Sequence, residues 1–137
     1  MISTKGRYAL RVMIDLAEHN TDDYIPLSVI ADRQEISAKY LQQIVKILVE
    51  KGLLSGVSGK GGGYKLTRRP EDYLAGEILE LMEGPLTAVA CLAPDAKECS
   101  RCQKCKTLPM WRQFDRIVHD FFYHITIADL ADGALKF

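Results

Sequence analysis

The chain has 137 residues, enough for one domain with a modest core, and its 18 basic and 18 acidic residues leave no formal net charge. Taken alone, that balance argues against a nucleic-acid binder. No apolar run is long enough to cross a bilayer, and the N-terminus lacks the apolar stretch of a signal peptide, so the sequence reads as a cytoplasmic protein without a membrane partner. The charge is unevenly placed, however: residues 1–70 hold 11 Lys or Arg against 7 Asp or Glu, and residues 71–137 hold 7 against 11. A basic first half can face nucleic acid while the acidic half turns away.

Ser3 or Thr4 is placed to cap a first helix, along which Tyr8, Ala9, Val12, Met13, Leu16 and Ala17 form an apolar stripe up to about Glu18. Lys5, Arg7 and Arg11 give this helix a basic beginning, against its dipole. A solvated end is the plain explanation and a nearby phosphate the functional one, with Arg7 as the candidate contact. Asn20–Asp23 reads as a turn.

Residues 26–67 organise the chain. Pro26 opens a helix carrying Leu27, Ile30 and Ala31, and polarity rises through Asp32–Glu35 where a turn belongs. Ile36 is the lone apolar residue of that turn and is expected to plug the core. Ser37 is a good N-cap for the next helix, in which Leu41, Ile44, Val45 and Leu48 share one face. Ala38, Lys39, Gln42, Gln43 and Lys46 stay free, and Gly52 suits the stop. Leu53 and Leu54 begin a strand, Gly59–Gly63 is a hairpin tip, and Tyr64-Lys65-Leu66 returns. Helix, turn, helix and hairpin in this order make a winged helix-turn-helix, which sets the start of its second helix in the major groove of DNA. Ser37, Lys39, Gln42 and Gln43 are the candidate readers, since Gln can donate and accept together on adenine and Ser can bond to several bases. In the hairpin, the bare backbone of three consecutive glycines can approach phosphates, and Lys60, Lys65, Arg68 and Arg69 can neutralise them. A nucleotide phosphate loop is a poor match, because no Ser or Thr follows Gly59-Lys60 and no helix opens behind it.

Pro70-Glu71-Asp72 starts the next unit, a short helix with Leu74, Ile78, Leu79, Leu81 and Met82 that Gly84-Pro85 ends. Residues 86–106 have no sustained periodicity and hold all four cysteines, Cys91, Cys99, Cys102 and Cys105. A structureless stretch of about twenty residues in a compact domain signals a functional site or disorder. In a cytosolic chain, clustered cysteines point to metal or redox chemistry rather than structural disulfides. Three readings stand: a tetrahedral zinc site, an iron–sulfur cluster, or a thiol switch using two of the four. Arg101, Lys104 and Lys106 are expected to lower the thiol pKa values.

From Thr107 the longest helical pattern runs through Met110, Trp111, Phe114, Ile117, Val118, Phe121, Phe122 and Ile125. It holds the only Trp and three of the four Phe. So much aromatic surface calls for a partner helix. The plain candidate is the chain's own first helix, and the functional one is a second copy, because helix-turn-helix proteins work as two-fold pairs. Thr126–Leu130 reads as a capped terminal helix. No Ser/His/Asp constellation stands out, and a thiol–disulfide enzyme using Cys99 and Cys102 would need an alternation of strands and helices that is missing, so the chain is read as a non-enzyme.

Ser-Thr-Lys-Gly-Arg-Tyr-Ala at residues 3–9, Ile36-Ser37 with Tyr40-Leu41, Gly61-Gly-Gly-Tyr64, Gly84-Pro85, Trp111 and Ile125-Thr-Ile-Ala-Asp-Leu130 resemble the IscR family of iron–sulfur regulators, whose relatives include NsrR and CymR. The resemblance runs nearly end to end. It implies a homodimer formed through the long C-terminal helix, palindromic promoter DNA as partner, and a 2Fe–2S cluster as cofactor, with zinc or a 4Fe–4S cluster as alternatives. Three ligand cysteines of the family fall on Cys91, Cys99 and Cys105. The family's fourth ligands, a His or a partner's Asp, fall on Leu108 and on the Lys5–Tyr8 region, so Cys102 becomes the fourth candidate. Ser37, Lys39, Tyr40, Gln42 and Gln43 fall on the DNA-contacting helix, with Gln42 where the family has Glu. Ser58 stands where its wing carries a minor-groove Arg, and Lys60 is the substitute cation. The expected fold is mainly α with a small β wing: a winged helix-turn-helix plus a long C-terminal dimerisation helix. It divides into a DNA-binding region (1–70), a connecting helix and cysteine loop (71–106), and a dimerisation helix with tail (107–137), all in one compact domain.

Overall fold

The computed structural model describes residues 2–137; Met1, the first residue of the 1–70 segment, lies outside the described residues. Helix α1 (Thr4–Glu18) is followed by α2 (Leu27–Gln34), α3 (Ala38–Glu50), the strands β1 (Leu54–Val57) and β2 (Gly63–Leu66), α4 (Ala75–Glu83), α5 (Leu108–Tyr123) and α6 (Ile127–Asp132). Single 3-10 turns lie at Pro70–Asp72 and Ala90–Leu92. The strands pair antiparallel, with Leu54 opposite Leu66 and Val57 opposite Gly63. The architecture is a winged helix-turn-helix elaborated by three C-terminal helices.

Helix α1 is the spine, packing against α2, α3, α4 and α6. Its stripe residues Ala9, Val12, Met13 and Leu16 are buried, as are Leu41, Ile44, Val45 and Leu48 from α3. Burying one such Leu, Ile or Met side chain contributes about 1.5–3 kcal/mol, so these two faces hold the DNA-binding half together. Ile36 plugs the turn between α2 and α3, and the Ser37 hydroxyl accepts the Tyr40 N–H at 3.1 Å to cap α3.

Three features of the fold are absent from the hydrophobic pattern. Asp15 is fully buried and accepts from Arg33 at 2.6 and 3.1 Å and from the Gln34 amide at 2.9 Å, which locks α1 to α2. Tyr73 is also fully buried; its hydroxyl donates to the Leu53 carbonyl at 2.7 Å and accepts from the Thr67 and Arg68 N–H groups at 2.8 and 3.0 Å. That single hydroxyl joins the two legs of the wing where they leave the core. Glu83, at the end of α4, caps α1 from a distance: one carboxylate oxygen accepts from Ser3 N (2.9 Å), Ser3 Oγ (2.6 Å) and Gly6 N (3.1 Å).

The last of these corrects the sequence expectation for α1. Ser3 takes the N-cap position, yet its side chain makes no capping bond and serves Glu83 instead. The negative charge that the basic first turn lacks comes from another helix. It also explains Gly6, since a Cβ there would strike the Glu83 carboxylate.

The glycine run is corrected too. A Cβ at Gly63 would collide with the Ile25 backbone, and one at Gly62 with the Val57 carbonyl. Their bareness serves the fold, because Ile25 and Tyr64 exchange N–H and C=O bonds at 2.9 Å across that point. Gly59 and Gly61 face open space with φ of +88° and +78°.

Helix α5 rests on α4 rather than on α1. The contact is made possible by Gly76, where any Cβ would meet the Tyr123 ring. The Tyr123 hydroxyl donates to Glu80 at 2.8 Å, and burial, followed by that bond, pushes its pKa up to about 12. Thr126 and Asp129 form a reciprocal capping box for α6. Ile125, counted with the dimerisation stripe in the sequence, instead lies past the end of α5. Its carbonyl accepts the Ala75 N–H at 2.8 Å, and its side chain is buried within the chain's own core.

Candidate functional site

Three surfaces hold the residues singled out by the sequence. On the first, Ser37, Lys39, Gln42, Gln43 and Lys46 are all exposed along α3, and Tyr40 is half-buried. Tyr40 meets Tyr8 of α1 edge to face at 5.6 Å, which fixes the start of α3 against the start of α1. Ser37, Lys39, Tyr40 and Gln43 line one shallow depression. Gln42 and Lys46 face the wing instead, across a groove of about 310 Å³ that Ser58 and Tyr64 close from the other side. Lys60 is exposed at the hairpin tip. Arg7 is exposed at the start of α1 and donates to the Thr4 hydroxyl at 3.0 Å.

The other basic candidates are engaged within the protein. Arg68 donates to both Glu77 oxygens at 2.9 and 3.1 Å, and Arg69 pairs with Asp72 at 3.1 Å. The Lys65 ammonium sits over the Tyr24 ring, 4.7 Å from its centroid. Arg11 lies 5.3 Å from the Tyr8 ring centroid and donates to Gln34. Lys39, Lys46 and Lys60 on this face have no ion-pair or cation–π partner among the described residues.

The second surface is the cysteine loop. Cys91, Cys99, Cys102 and Cys105 all line one cavity of about 120 Å³ at the start of α5. Leu92 and Leu108 give it apolar walls, and Glu98 and Arg112 supply its charged rim. All four cysteines are free thiols. Among the described residues, no three of the metal-binding side chains converge on a single point. The sequence led us to expect neighbouring Lys and Arg to depress the thiol pKa values, and the surroundings act differently. Cys105 is lowered chiefly by the Thr107 hydroxyl at 3.3 Å and by the Thr107 and Leu108 N–H groups at the start of α5, with Arg101 a minor contributor. Cys102 is raised, because its thiol donates to Glu98 at 3.3 Å.

The long helix presents a third, apolar surface. Met110, Phe114, Ile117 and Phe121 are exposed along α5, while Trp111, Val118 and Phe122 are half-buried. No helix among the described residues is long and apolar enough to cross a membrane.

Residues 2–133 match the family described as Rrf2, iron-dependent transcriptional regulator. The chain belongs to the Rrf2 family. It is 33% identical over 132 residues to the HTH-type transcriptional regulator IscR of Erwinia tasmaniensis, covering 96% of this chain and 79% of that protein. Among solved structures, it is similar to CymR, the global cysteine regulator of B. subtilis, with a TM-score of 0.77 and 33% identity over 96% of both chains. It is also similar to T. potens IscR, with a TM-score of 0.74 and 32% identity over 98% of this chain and 88% of that one. This Rrf2 protein is accordingly a winged-helix, DNA-binding transcriptional regulator.

Sequence reasoning missed several residues that shape these surfaces in the Rrf2 chain: Asp15, Tyr73, Glu83, Glu98 and Arg112. Asp15 carried a signal, since it sits on the buried stripe beside Val12 and Leu16 where a carboxylate has no place unless paired. Glu83 carried none, because its partners Ser3 and Gly6 lie at the other end of the chain.

Proposed function

We propose that this Rrf2 regulator binds two-fold promoter DNA as a homodimer and senses iron–sulfur or redox status through a 2Fe–2S cluster on Cys91, Cys99, Cys102 and Cys105. The observation that carries the reading is that four thiols, spread over fifteen positions of a polar loop, line one small cavity. The donor set fits: thiolates are soft ligands, and all-cysteine sets hold iron–sulfur clusters. When bound, the cluster supplies a centre whose redox state or loss can be read by the protein. Cys105 is best prepared as a ligand, its thiolate stabilised by the Thr107 hydroxyl and the start of α5.

The proposed division of labour follows the segments 1–70, 71–106 and 107–137. Ser37, Lys39, Tyr40, Gln42 and Gln43 read or position the DNA from α3, Arg7 contacts backbone beside them, and Ser58 and Lys60 reach it from the wing. Trp111, Phe114, Ile117, Val118, Phe121 and Phe122 carry the pairing of two copies, with Ile125 supporting the helix from within the protomer. A run of contacts links the sensor to the reader: Ala88 N–H donates to Asp115 of α5 at 2.8 Å, Glu83 just before the loop caps α1, and Tyr8 of α1 braces Tyr40 of α3. Ordering of the loop on α5 thereby biases the placement of α3.

Anaerobic purification tests the reading. Cys91→Ala, Cys99→Ala and Cys105→Ala are each expected to lose the visible iron–sulfur absorbance; full absorbance in all three refutes it. Phe114→Glu is expected to sediment as a monomer and to lose operator binding. A thiol switch is the second reading, favoured by the lowered pKa of Cys105 close to Cys102 and by the likeness to CymR. It predicts colourless native protein whose operator affinity changes on peroxide treatment and returns with dithiothreitol.

A further inference from the structure

The cysteine cavity contains one anionic donor more than four positions require. Glu98 lines it together with the four thiols, and its Oε1 accepts the Cys102 S–H at 3.3 Å. The carboxylate and this thiol therefore occupy the same corner of the cavity, four positions apart in the chain. We propose that Glu98 is an alternative fourth ligand of the centre, exchanging with Cys102 for one iron position. The inference rests on the cluster reading given above.

The argument is one of charge and donor type. If Cys102 binds as a thiolate, it gives up the proton it donates to Glu98. The carboxylate is then left beside an anionic sulfur, with repulsion where there was a hydrogen bond. If Glu98 binds instead, the Cys102 sulfur is a neutral thiol with its S–H in place, and one anion rather than two lies in that corner. No electron moves in the exchange; relative to Cys102 ligation one proton is taken up from water, and the cavity carries one negative charge fewer. Arg112, lining the same cavity, faces an anion in either arrangement. Ferric iron accepts carboxylate oxygen as well as thiolate sulfur, so the choice falls to the geometry of the loop. Cys91, Cys99 and Cys105 have no acidic side chain hydrogen-bonded to their sulfurs among the described residues, which singles out the Cys102 corner. An oxygen ligand differs from a thiolate in the electron density it gives iron, so the two forms are expected to differ in reduction potential.

The test compares wild type, Cys102→Ala, Glu98→Gln and the double variant, each reconstituted anaerobically with iron and sulfide. The measurements are iron and sulfide content, visible circular dichroism, reduction potential, and the half-life of the cluster against a chelator. Glu98 and Cys102 lie on an exposed loop, and far-ultraviolet dichroism verifies that each variant is folded. Cys102→Ala is expected to keep a full complement of iron and sulfide, with a changed visible dichroism and a shifted potential. Glu98→Gln is expected to keep an all-sulfur spectrum, and the double variant to shorten the cluster half-life about tenfold or more. Loss of the cluster from Cys102→Ala alone, or equal half-lives and spectra for Cys102→Ala and the double variant, overturns the inference. A wild type that takes up no iron and sulfide overturns the cluster reading itself, a result distinct from either.

Discussion

The helix-turn-helix half and the cysteine loop are built on opposite principles. The first is dense: fully buried side chains from α1, α2 and α3 interlock, and its buried carboxylate and buried tyrosine hydroxyl are both paired. In the second, no residue from 87 to 107 is buried, and its backbone is held by short turns. A segment with few buried contacts opens at low free energy, so a bound group can decide its conformation. A reader of base edges needs the reverse, because positioning errors of its side chains weaken discrimination. The difference teaches that rigidity is spent where DNA is read, and that the sensing loop is left for its ligand to order.

The comparison can be broken most forcefully at Asp15. Asp15→Ala leaves Arg33 and Gln34 without their buried partner and is expected to destabilise the fold by about 3 kcal/mol in urea unfolding. A change below about 0.5 kcal/mol would mean that α1 and α2 hold without the pair.

Next come the exposed readers. Gln43→Ala is expected to weaken operator binding by about 1–3 kcal/mol with little effect on random DNA. Lys60→Ala is expected to weaken both alike and to reduce the salt slope by about 1. Equal losses on operator and random DNA from Gln43→Ala would remove its base-reading role.

The bridge between the two regions is Glu83, and it titrates. Burial raises its pKa, but the bonds from Ser3 and Gly6 outweigh that and leave the carboxyl below its usual value. A lowered folded-state pKa means that the cap is fully present above the ordinary carboxylate range and is lost as pH falls through the folded value. Glu83→Gln should therefore lower stability at neutral pH and flatten the acid limb of the thermal-stability profile, its difference from wild type closing only as pH falls through the lowered value of the folded carboxyl. A parallel downward shift at every pH would show that the cap owes nothing to charge.

The smallest effect is expected in the loop itself. Without metal, replacing Cys91, Cys99 and Cys105 together by Ala should alter stability by less than about 0.5 kcal/mol, since the three are exposed or half-buried. A loss of several kcal/mol would place the loop in the folding core and erase the contrast drawn above.

The sequence by itself determined the winged helix-turn-helix, because its elements are written in local signals: the stripes of α1 and α3, the Ser37 cap, Ile36 in the turn, the glycine tip and the Thr126 capping box. It determined, too, that four cysteines belong to one loop, since they are neighbours in the chain. Only the tertiary structure decided what depends on residues far apart. It placed Glu83 on the start of α1, paired Arg68 with Glu77, committed Gly62 and Gly63 to packing, and moved Ile125 off the exposed stripe into the core. It also brought Cys91 and Arg112 to the cavity that Glu98 and Cys102 line. The physical reason is range. Periodicity and capping are fixed within a few residues along the chain, whereas hydrogen bonds, ion pairs and steric exclusion are settled by whichever groups the packed helices bring together.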